Sequence, residues 1–413
     1  MNQKKSRLSQ AMVFLILFGI VSLFSDMTHE GASSIRGAYL ALLGASAGAI
    51  GFISGLGELI GYSMRYLFGR ITDRTRSYWP MVILGYVLDI IAVPALALVG
   101  EHGWIAACLL LVVQRMGKAI KKPAKDTIMS FAASQEGAGR SFGLQELLDQ
   151  IGAFLGPVLL WLVMLGRTDA SPIRTYSLCF AVLAIPGGIT LLLLLYTRSR
   201  FPNPEQFEPE PKEYIPFRMK KSFILYIAGI SLFAFGFIDY SLIVMHISRT
   251  AALSGAAGLI TEETLPLLYA GAMLIDAVSA LFFGFLYDRI GVRSLIFSTL
   301  LSSGFAVFIF SMHSVPALLV GIALWGVGMG AQESILKAAV SSMVPKSSRA
   351  TGYGIFECSF GFFWFLGSWL MGALYDFSIP AMVAVSVAAQ LLSIPLYLVS
   401  SRQKIREEQP LHE

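Results

Sequence analysis

Charge is scarce in this sequence. Of 413 residues only 14% are Asp, Glu, Lys or Arg, while 55% are hydrophobic. An ordinary soluble domain is about 25% charged and about 45–50% apolar. A chain this poor in charge would need an implausibly large core to live in water, so its composition points to lipid as the solvent. Cysteine is nearly absent. Cys108, Cys179 and Cys358 sit inside apolar runs, without metal-ligand spacing or pairing logic, and read as small core residues. The five histidines, His29, His102, His246, His313 and His412, are scattered. H-E-x-x-H and G-x-S-x-G are missing, and no phosphate-cradling loop precedes a helix. These absences argue against an enzyme, a metal site, a cofactor and direct nucleotide drive. The net charge of +5 does not signal nucleic acid either, because the bases sit in short loops between apolar runs.

Long apolar runs are what the chain has instead. A spanning helix needs about 20 mostly apolar residues. The pattern predicts spans over 10–32, 46–68, 79–99, 104–122, 140–165 and 174–196, then 222–247, 264–285, 294–312, 315–338, 351–374 and 379–400. The basic start, Met1 to Arg7, leads into the first span without a small-residue cleavage site, so that span reads as a helix and not a signal peptide. With the N-terminus inside, the outer loops hold only Arg36, Arg167, Arg174 and Arg249, and the remaining 27 of 31 Lys and Arg lie inside. The positive-inside rule then places both termini in the cytoplasm of a bacterial-type inner membrane. Residues 197–221, rich in proline and charge, read as a cytoplasmic linker between an N-terminal bundle, 1–196, and a C-terminal bundle, 222–413.

The two halves repeat. Gly69-Arg-Ile-Thr-Asp73-Arg74 closes the second span and Gly284-Phe-Leu-Tyr-Asp288-Arg289 closes the eighth, at an offset of 215. Phe24-Ser-Asp26 meets Phe237-Ile-Asp239 at an offset of 213, and Arg140, Gly143 and Gly152 recur as Arg349, Gly352 and Gly361 at 209. Three matches in one order fit a duplicated six-helix unit. Twelve spans, a central linker and G-x-x-x-D-R after spans two and eight resemble the major facilitator superfamily over essentially the whole chain. The resemblance implies an all-α membrane protein of twelve transmembrane helices, in two pseudo-symmetric six-helix bundles around a central cavity. It also implies a secondary transporter that moves a small solute by alternating access.

In the loop motif, Asp73 and Asp288 sit at inner helix ends, where an acid can face a helix N-terminus or an arginine when the bundles close. Gly69, Asp73, Arg74, Gly284, Asp288 and Arg289 are thus expected to gate. In the fifth span Gly143, Gly152, Gly156 and Pro157 follow G-x8-G-x3-G-P, which resembles the fifth-helix motif of proton-linked antiporters. Leu160 and Trp161 stand where that pattern has paired glycines. Small residues there let helices approach closely and the proline adds a kink.

Ionisable groups in lipid cost roughly 2.5–3.5 kcal/mol each, so they line cavities or pair. Arg115 and Lys118 of the fourth span are expected to pair with Glu146 and Asp149 of the fifth near their cytoplasmic ends. The run Lys118 to Lys125 is a candidate for anionic lipid. Asp26 and Glu30 share a helical face beside His29. In the resembling fold they lie across the cavity from Asp239, with Glu58 and Arg65 as neighbours. Carboxyls that gather in a low-dielectric site suit proton carriage, so Asp26, Glu30 and Asp239 are the coupling candidates. The aromatics Phe360, Phe362, Phe363, Trp364 and Phe365 crowd the eleventh span, facing either a solute or lipid. The expected partners are a small-molecule solute, protons or another coupling cation, and membrane lipid, with no nucleic acid and a monomeric chain. Proton-coupled antiport exporting an amphipathic compound or metabolite is the first expectation. Proton-coupled uptake of a small organic acid or metal chelate is the second.

Overall fold

The computed structural model describes residues 9–136, 138–166, 171–207, 219–253, 260–312, 314–344 and 349–408. Among these the fold is built from helices, without strands. The first half holds α1 (Gln10–Leu42), α2 (Ala47–Thr75), α3 (Tyr78–Ala95), α4 (Trp104–Glu136), α5 (Ala138–Leu165), α6 (Pro172–Val182) and α7 (Ala184–Arg200). The second holds α8 (Lys221–Gly236), α9 (Tyr240–Leu253), α10 (Leu265–Ile290), α11 (Ser294–Ser302), α12 (Phe305–Phe310), α13 (Val315–Met343), α14 (Arg349–Phe377) and α15 (Ile379–Glu408).

Local chemistry sets the helix ends. Ser9, Ser46 and Ser314 cap α1, α2 and α13 by accepting the N–H groups of Met12, Ala49 and Ala317, which satisfies donors the first turn leaves open. Two turns need glycine: Gly44 between α1 and α2 has φ +98° and Gly291 after α10 has φ +62°. Nine helical stretches among the described residues are long and apolar enough to cross a membrane by length and composition. One of them, Glu262–Phe310, runs for 49 residues through α10, α11 and α12, room for two crossings. α2 and α4 have the length, 29 and 33 residues, but ionisable side chains interrupt them.

Surface and interior are inverted relative to a soluble protein. Leu192, Leu281, Phe285, Ile185 and Leu392 lie more than half exposed, while Arg36, Asp89, Lys121, Lys125 and Asp276 are buried. An apolar exterior of this extent is a lipid-facing one. Without a hydrophobic force between helices in lipid, close packing must hold them together, and small residues permit it. Gly152 and Gly156 of α5 bring that helix onto the Leu23 and Met27 carbonyls of α1, and Gly85 of α3 meets Gly117 of α4. In the second half Gly330 of α13 packs on Asp276 of α10. Across the halves α2 lies along α14, α1 along α9 and α5 along α10. Gly51, Gly55, Gly361 and Gly372 sit in the α2–α14 seam, and Gly37 abuts Ser241 of α9.

Several expectations about extent are corrected. The first span does not stop at 32: α1 continues to Leu42, so Arg36 is a buried helix residue and not part of an outer loop. Arg174 and Arg249 likewise lie within α6 and α9. α4 runs 14 residues past the predicted end at 122, because its charged stretch is covered by other helices and has no reason to leave them. The predicted seventh span is interrupted at Phe237–Asp239, between α8 and α9.

Candidate functional site

The polar interior is a seam in the first half. On α1, Ser22, Ser25, Asp26, His29, Glu30 and Arg36 recur at helical spacing, and on α4 Gln114, Lys118, Lys121 and Lys125 do the same. Residues three or four apart share a face, so the two stripes run alongside each other. Lys125 donates to Ser22, and Lys121 donates to Ser25 at 3.1 Å and pairs with Asp89 of α3. Lys121 also lies over the Tyr86 ring, 3.9 Å from its centroid. His29 sits at the middle, with Nδ1 2.5 Å from the Gln114 amide and Nε2 3.2 Å from Lys118 Nζ. A lysine ammonium carries only donors, so Nε2 accepts; the ring proton then sits on Nδ1 and calls for the Gln114 amide to turn its oxygen, otherwise buried without a partner, toward the ring in place of the Nε2 group. A proton arriving at Nε2 has to displace Lys118. Beside this seam Arg115 pairs with Glu58 of α2 at 2.7 Å.

A second set of contacts crosses between the halves. Arg36 donates to Ser241 Oγ at 2.8 Å and lies 3.7 Å from Asp239. Asp239 occupies the break before α9, where it accepts the Ser241 N–H at 2.8 Å, an N-cap arrangement that suits a carboxylate. Tyr269 of α10 donates to Glu30 at 2.5 Å, Arg65 pairs with Glu357 of α14 at 3.3 Å, and Gln150 of α5 donates to Asp276 at 3.2 Å. At the end of the bundle carrying the 43–46 turn, here called the distal end, Asp376 accepts the Ala47 and Gly48 N–H groups at 3.3 and 2.8 Å. The α1–α9 contact and the Gly48–Asp376 end of the α2–α14 seam close that end, and the seam continues along α2 as far as Tyr66 against Gly354.

Asp26 stands apart from these contacts. It is half-buried in mid-α1, and among the described residues it makes no hydrogen bond and no ion pair. Its electrostatic neighbours are Asp149, Lys125, Lys118 and Glu30. Asp149 is likewise without an ion pair among the described residues, and one of its carboxylate oxygens is buried without a partner. Among the described residues, then, Lys118 and Lys125 have no carboxylate at contact, and Asp26 and Asp149 have no lysine at contact.

The predicted residues are therefore only partly brought together. Asp26, His29 and Glu30 share the seam, but Asp239 does not join them: it is engaged by Arg36, ten residues further along α1. Glu58 and Arg65 point to different partners, Arg115 and Glu357. The expected pairing of Arg115 and Lys118 with Glu146 and Asp149 does not form. Because α4 extends to Glu136, Arg115 and Lys118 lie in its first half and reach α2 and α1, while Glu146 is exposed. Lys121 and Lys125 face the seam and not lipid, since both are buried. Phe360 and Trp364 are buried against Tyr62 and Phe237, whereas Phe362 and Phe363 face outward. Arg74, Asp288 and Arg289 are exposed. The structure places Asp73, Arg140 and Gly143 on α2 and α5, with the side chains of Asp73 and Arg140 and the surroundings of Gly143 outside what it describes. Arg36, Gln114, Tyr269, Ser241 and Asp376 were not anticipated as site residues. The matching periodicity of the polar stripes on α1 and α4 was the available signal for Gln114.

Relatives match most of this chain's length. A protein of Mycobacterium tuberculosis described as uncharacterized is 37% identical over 387 residues, covering 92% of this chain and 91% of its own. An uncharacterized MFS-type transporter of Methanocaldococcus jannaschii is 28% identical over 379 residues, 88% of each chain. The solved structure of a bacterial homologue of the human lysosomal transporter Spinster, inward-facing and unoccupied, superposes with a TM-score of 0.71 at 12% identity, over 98% of this chain and all of that one. The sequence profile of the Major Facilitator Superfamily matches residues 8–261 and 251–413. With the inverted surface, the helical fold and these matches in hand, the chain is an integral membrane protein and belongs to the Major Facilitator Superfamily of secondary transporters.

Proposed function

We propose that this transporter couples solute movement to protons through the α1–α4 seam, with Asp26 as the coupling carboxyl and His29 beside it. The chain makes twelve passes in this reading, with α6–α7, α8–α9 and α11–α12 each forming one interrupted crossing. Residues 1–196 and 222–413 form the two bundles, 197–221 join them, and the positive-inside pattern keeps both termini in the cytoplasm. The observation that carries the coupling is that Asp26, alone of the coupling candidates Asp26, Glu30 and Asp239, has neither hydrogen bond nor ion pair among the described residues, whereas Glu30 is held by Tyr269 and Asp239 by Arg36. A group that shuttles a proton must be free to exchange it, and a carboxyl locked to an arginine is not. Proton arrival at His29 Nε2 releases Lys118, which links the two events along one helix. The G-x-x-x-D-R loops act as gates on the cytoplasmic side.

Antiport of an amphipathic compound is the direction that the α5 resemblance supports, although Gly152 and Gly156 face α1 of their own half and not the opposite one. A specific observation favours a second reading, uptake of a small organic acid. Lys118 and Lys125 are held by His29 and Ser22, neutral partners that an anionic group can replace.

The test uses purified protein in liposomes with an interior pH dye, comparing wild type with Asp26→Asn under an imposed proton gradient. Amphipathic cations and small carboxylates are offered in turn. Solute-driven proton movement that survives in Asp26→Asn removes the coupling role. Proton movement opposite to solute entry, lost in the variant, supports antiport, and co-directional movement with carboxylates supports the second reading.

A further inference from the structure

On the outer face of the second half, away from the polar seam, two concave surfaces meet at one residue. The first is an apolar groove of about 520 Å³ between α10 and α11, formed by Phe282, Phe283, Leu286, Phe297, Leu300 and Leu301. The second, of about 380 Å³, lies between α11 and α15 and is lined by Arg293, Ile296, Phe297, Leu398 and Arg402. Phe297, 57% exposed, belongs to both. The order along α11 gives the pair a direction. Arg293 stands immediately before the helix, Phe297 is one turn deeper, and Leu300 and Leu301 are about two turns deeper at about 1.5 Å per residue. Arg402 lies near the end of α15, on the same side of the bundle as the turn between α10 and α11.

The two arginines carry uncompensated charge. Among the described residues neither forms an ion pair. Arg293 Nε donates to Ser401 Oγ at 3.2 Å, which anchors the guanidinium to α15 and leaves its terminal nitrogens without a described partner. Bases are common at this end of the chain, and Arg289 is exposed as well. Arg293 and Arg402 differ from it in lining one recess that continues into an apolar groove. Guanidinium groups bind phosphate through two parallel N–H donors, and a groove walled by phenylalanine and leucine suits a hydrocarbon chain.

We propose that this composite groove is a binding site for an anionic phospholipid, its phosphate held by Arg293 and Arg402 and one acyl chain lying along Phe297, Leu300 and Leu301. The charge at one end and the apolar lining at the other match the two parts of such a molecule, in the order in which they enter a bilayer. The α10–α11 turn that carries Arg293 directly follows the Asp288–Arg289 loop motif, so an occupant bridges α11 and α15 beside that loop.

The test measures lipid retention by native mass spectrometry after release from nanodiscs holding equal phosphatidylglycerol and phosphatidylcholine. Wild type is expected to retain phosphatidylglycerol preferentially. Arg293→Gln and Arg402→Gln should each lower that preference about fivefold, in line with the electrostatic worth of one base at a membrane surface. Arg289→Gln should leave it unchanged. Leu300→Trp, which fills the groove without altering charge, should reduce retention of both lipids, and inorganic phosphate should not displace the bound lipid from wild type. Equal retention of the two lipids by wild type overturns the proposal. So does a loss in Arg289→Gln as large as that in Arg402→Gln, which would describe a diffuse basic surface. Unchanged retention in Leu300→Trp overturns the acyl-chain assignment. Circular dichroism of each variant separates these outcomes from misfolding.

Discussion

The two halves of this transporter share a packing scheme and differ in how they use charge. In the first half, cations and carboxylates meet within the half: Arg115 with Glu58 and Lys121 with Asp89. The second half presents Asp239, Asp276, Glu357 and Asp376 outward, to Arg36, Gln150, Arg65 and the α2 N-terminus of the first. Its centre is aromatic instead, with Phe237 packed among Phe233, Phe305, Trp325 and Trp364. Pairs inside one half stay with it when that half moves as a body. Pairs between halves, by contrast, must break wherever the halves separate. On that basis the first kind is expected to set stability, and the crossing pairs near the 43–46 turn to bias which way the molecule opens.

The largest effect should come from breaking an internal pair. Lys121→Met leaves Asp89, only 3% exposed, as a buried charge without its cation, at a cost of about 3–5 kcal/mol. Thermal unfolding in detergent should show a large drop, and Lys121→Met with Asp89→Asn should regain most of it. Glu357→Gln, which opens the cross-half pair with Arg65, should lower the melting temperature much less. Equal losses in the two single variants would erase the distinction between internal and crossing pairs.

Next in size is the Tyr269–Glu30 contact. Tyr269→Phe removes a hydrogen bond to a carboxylate, worth about 1.5–3 kcal/mol, from the closed arrangement only. That is roughly a ten- to hundredfold shift in the conformational equilibrium. Ala45→Cys in a background with the three native cysteines replaced is a suitable reporter, because Ala45 is buried at the distal end. Its labelling rate should rise in Tyr269→Phe, and an unchanged rate would mean that Glu30 takes no part in closure.

Packing should treat the halves alike where charge does not. Added Cβ atoms at Gly156 and Gly330 meet backbone atoms of a neighbouring helix, Gly31 N and Ala280 N, both at 2.9 Å, besides the carbonyls of Met27 and Asp276. Neither backbone can swing aside as a side chain could. Gly156→Ala and Gly330→Ala should each cost about 1–3 kcal/mol by forcing helices apart. Gly61→Ala, with nothing within 4 Å, should be neutral or slightly stabilising in the same unfolding measurement.

These contrasts also mark how far the sequence could be read. Helix positions and the duplicated plan follow from apolar runs and the repeated loop motif, which are local properties of the chain. The membership of Asp26, His29 and Glu30 in one polar face follows from their spacing. Partners could not be read, because a helix's rotation and depth are fixed by close packing such as Gly152 on Leu23 and Gly37 on Ser241, and a shift of one turn exchanges every neighbour. Arg36 shows the difficulty. Placing the first helix end at 32 made it a loop residue, whereas ten further helical residues bury it against Asp239. The α8–α9 break was equally hidden, since no proline marks it and its carboxylate resembled an intramembrane charge more than a helix cap.

The smallest predicted effect gives the finest test of the division between internal and crossing contacts, because one helix end carries both kinds. The N-terminus of α2 is capped locally by Ser46, which accepts the Ala49 N–H at 3.1 Å, and from across the interface by Asp376, which accepts from Ala47 and Gly48. Both remove open donors from the same first turn, and each is worth about 1 kcal/mol. Ser46 stays with α2 whichever way the halves rock, so Ser46→Ala should lower the melting temperature slightly and leave Ala45→Cys labelling unchanged. Asp376 is on α14 and reaches α2 only when the distal end is shut. Asp376→Ala should thus raise labelling about fivefold with little change in melting, and Asp376→Asn, which keeps an acceptor but loses the charge, should fall between. If Ser46→Ala raised labelling as much as Asp376→Ala, the α2 N-terminus would be opening by local fraying, and the crossing carboxylates would lose their place as the latch of the distal end.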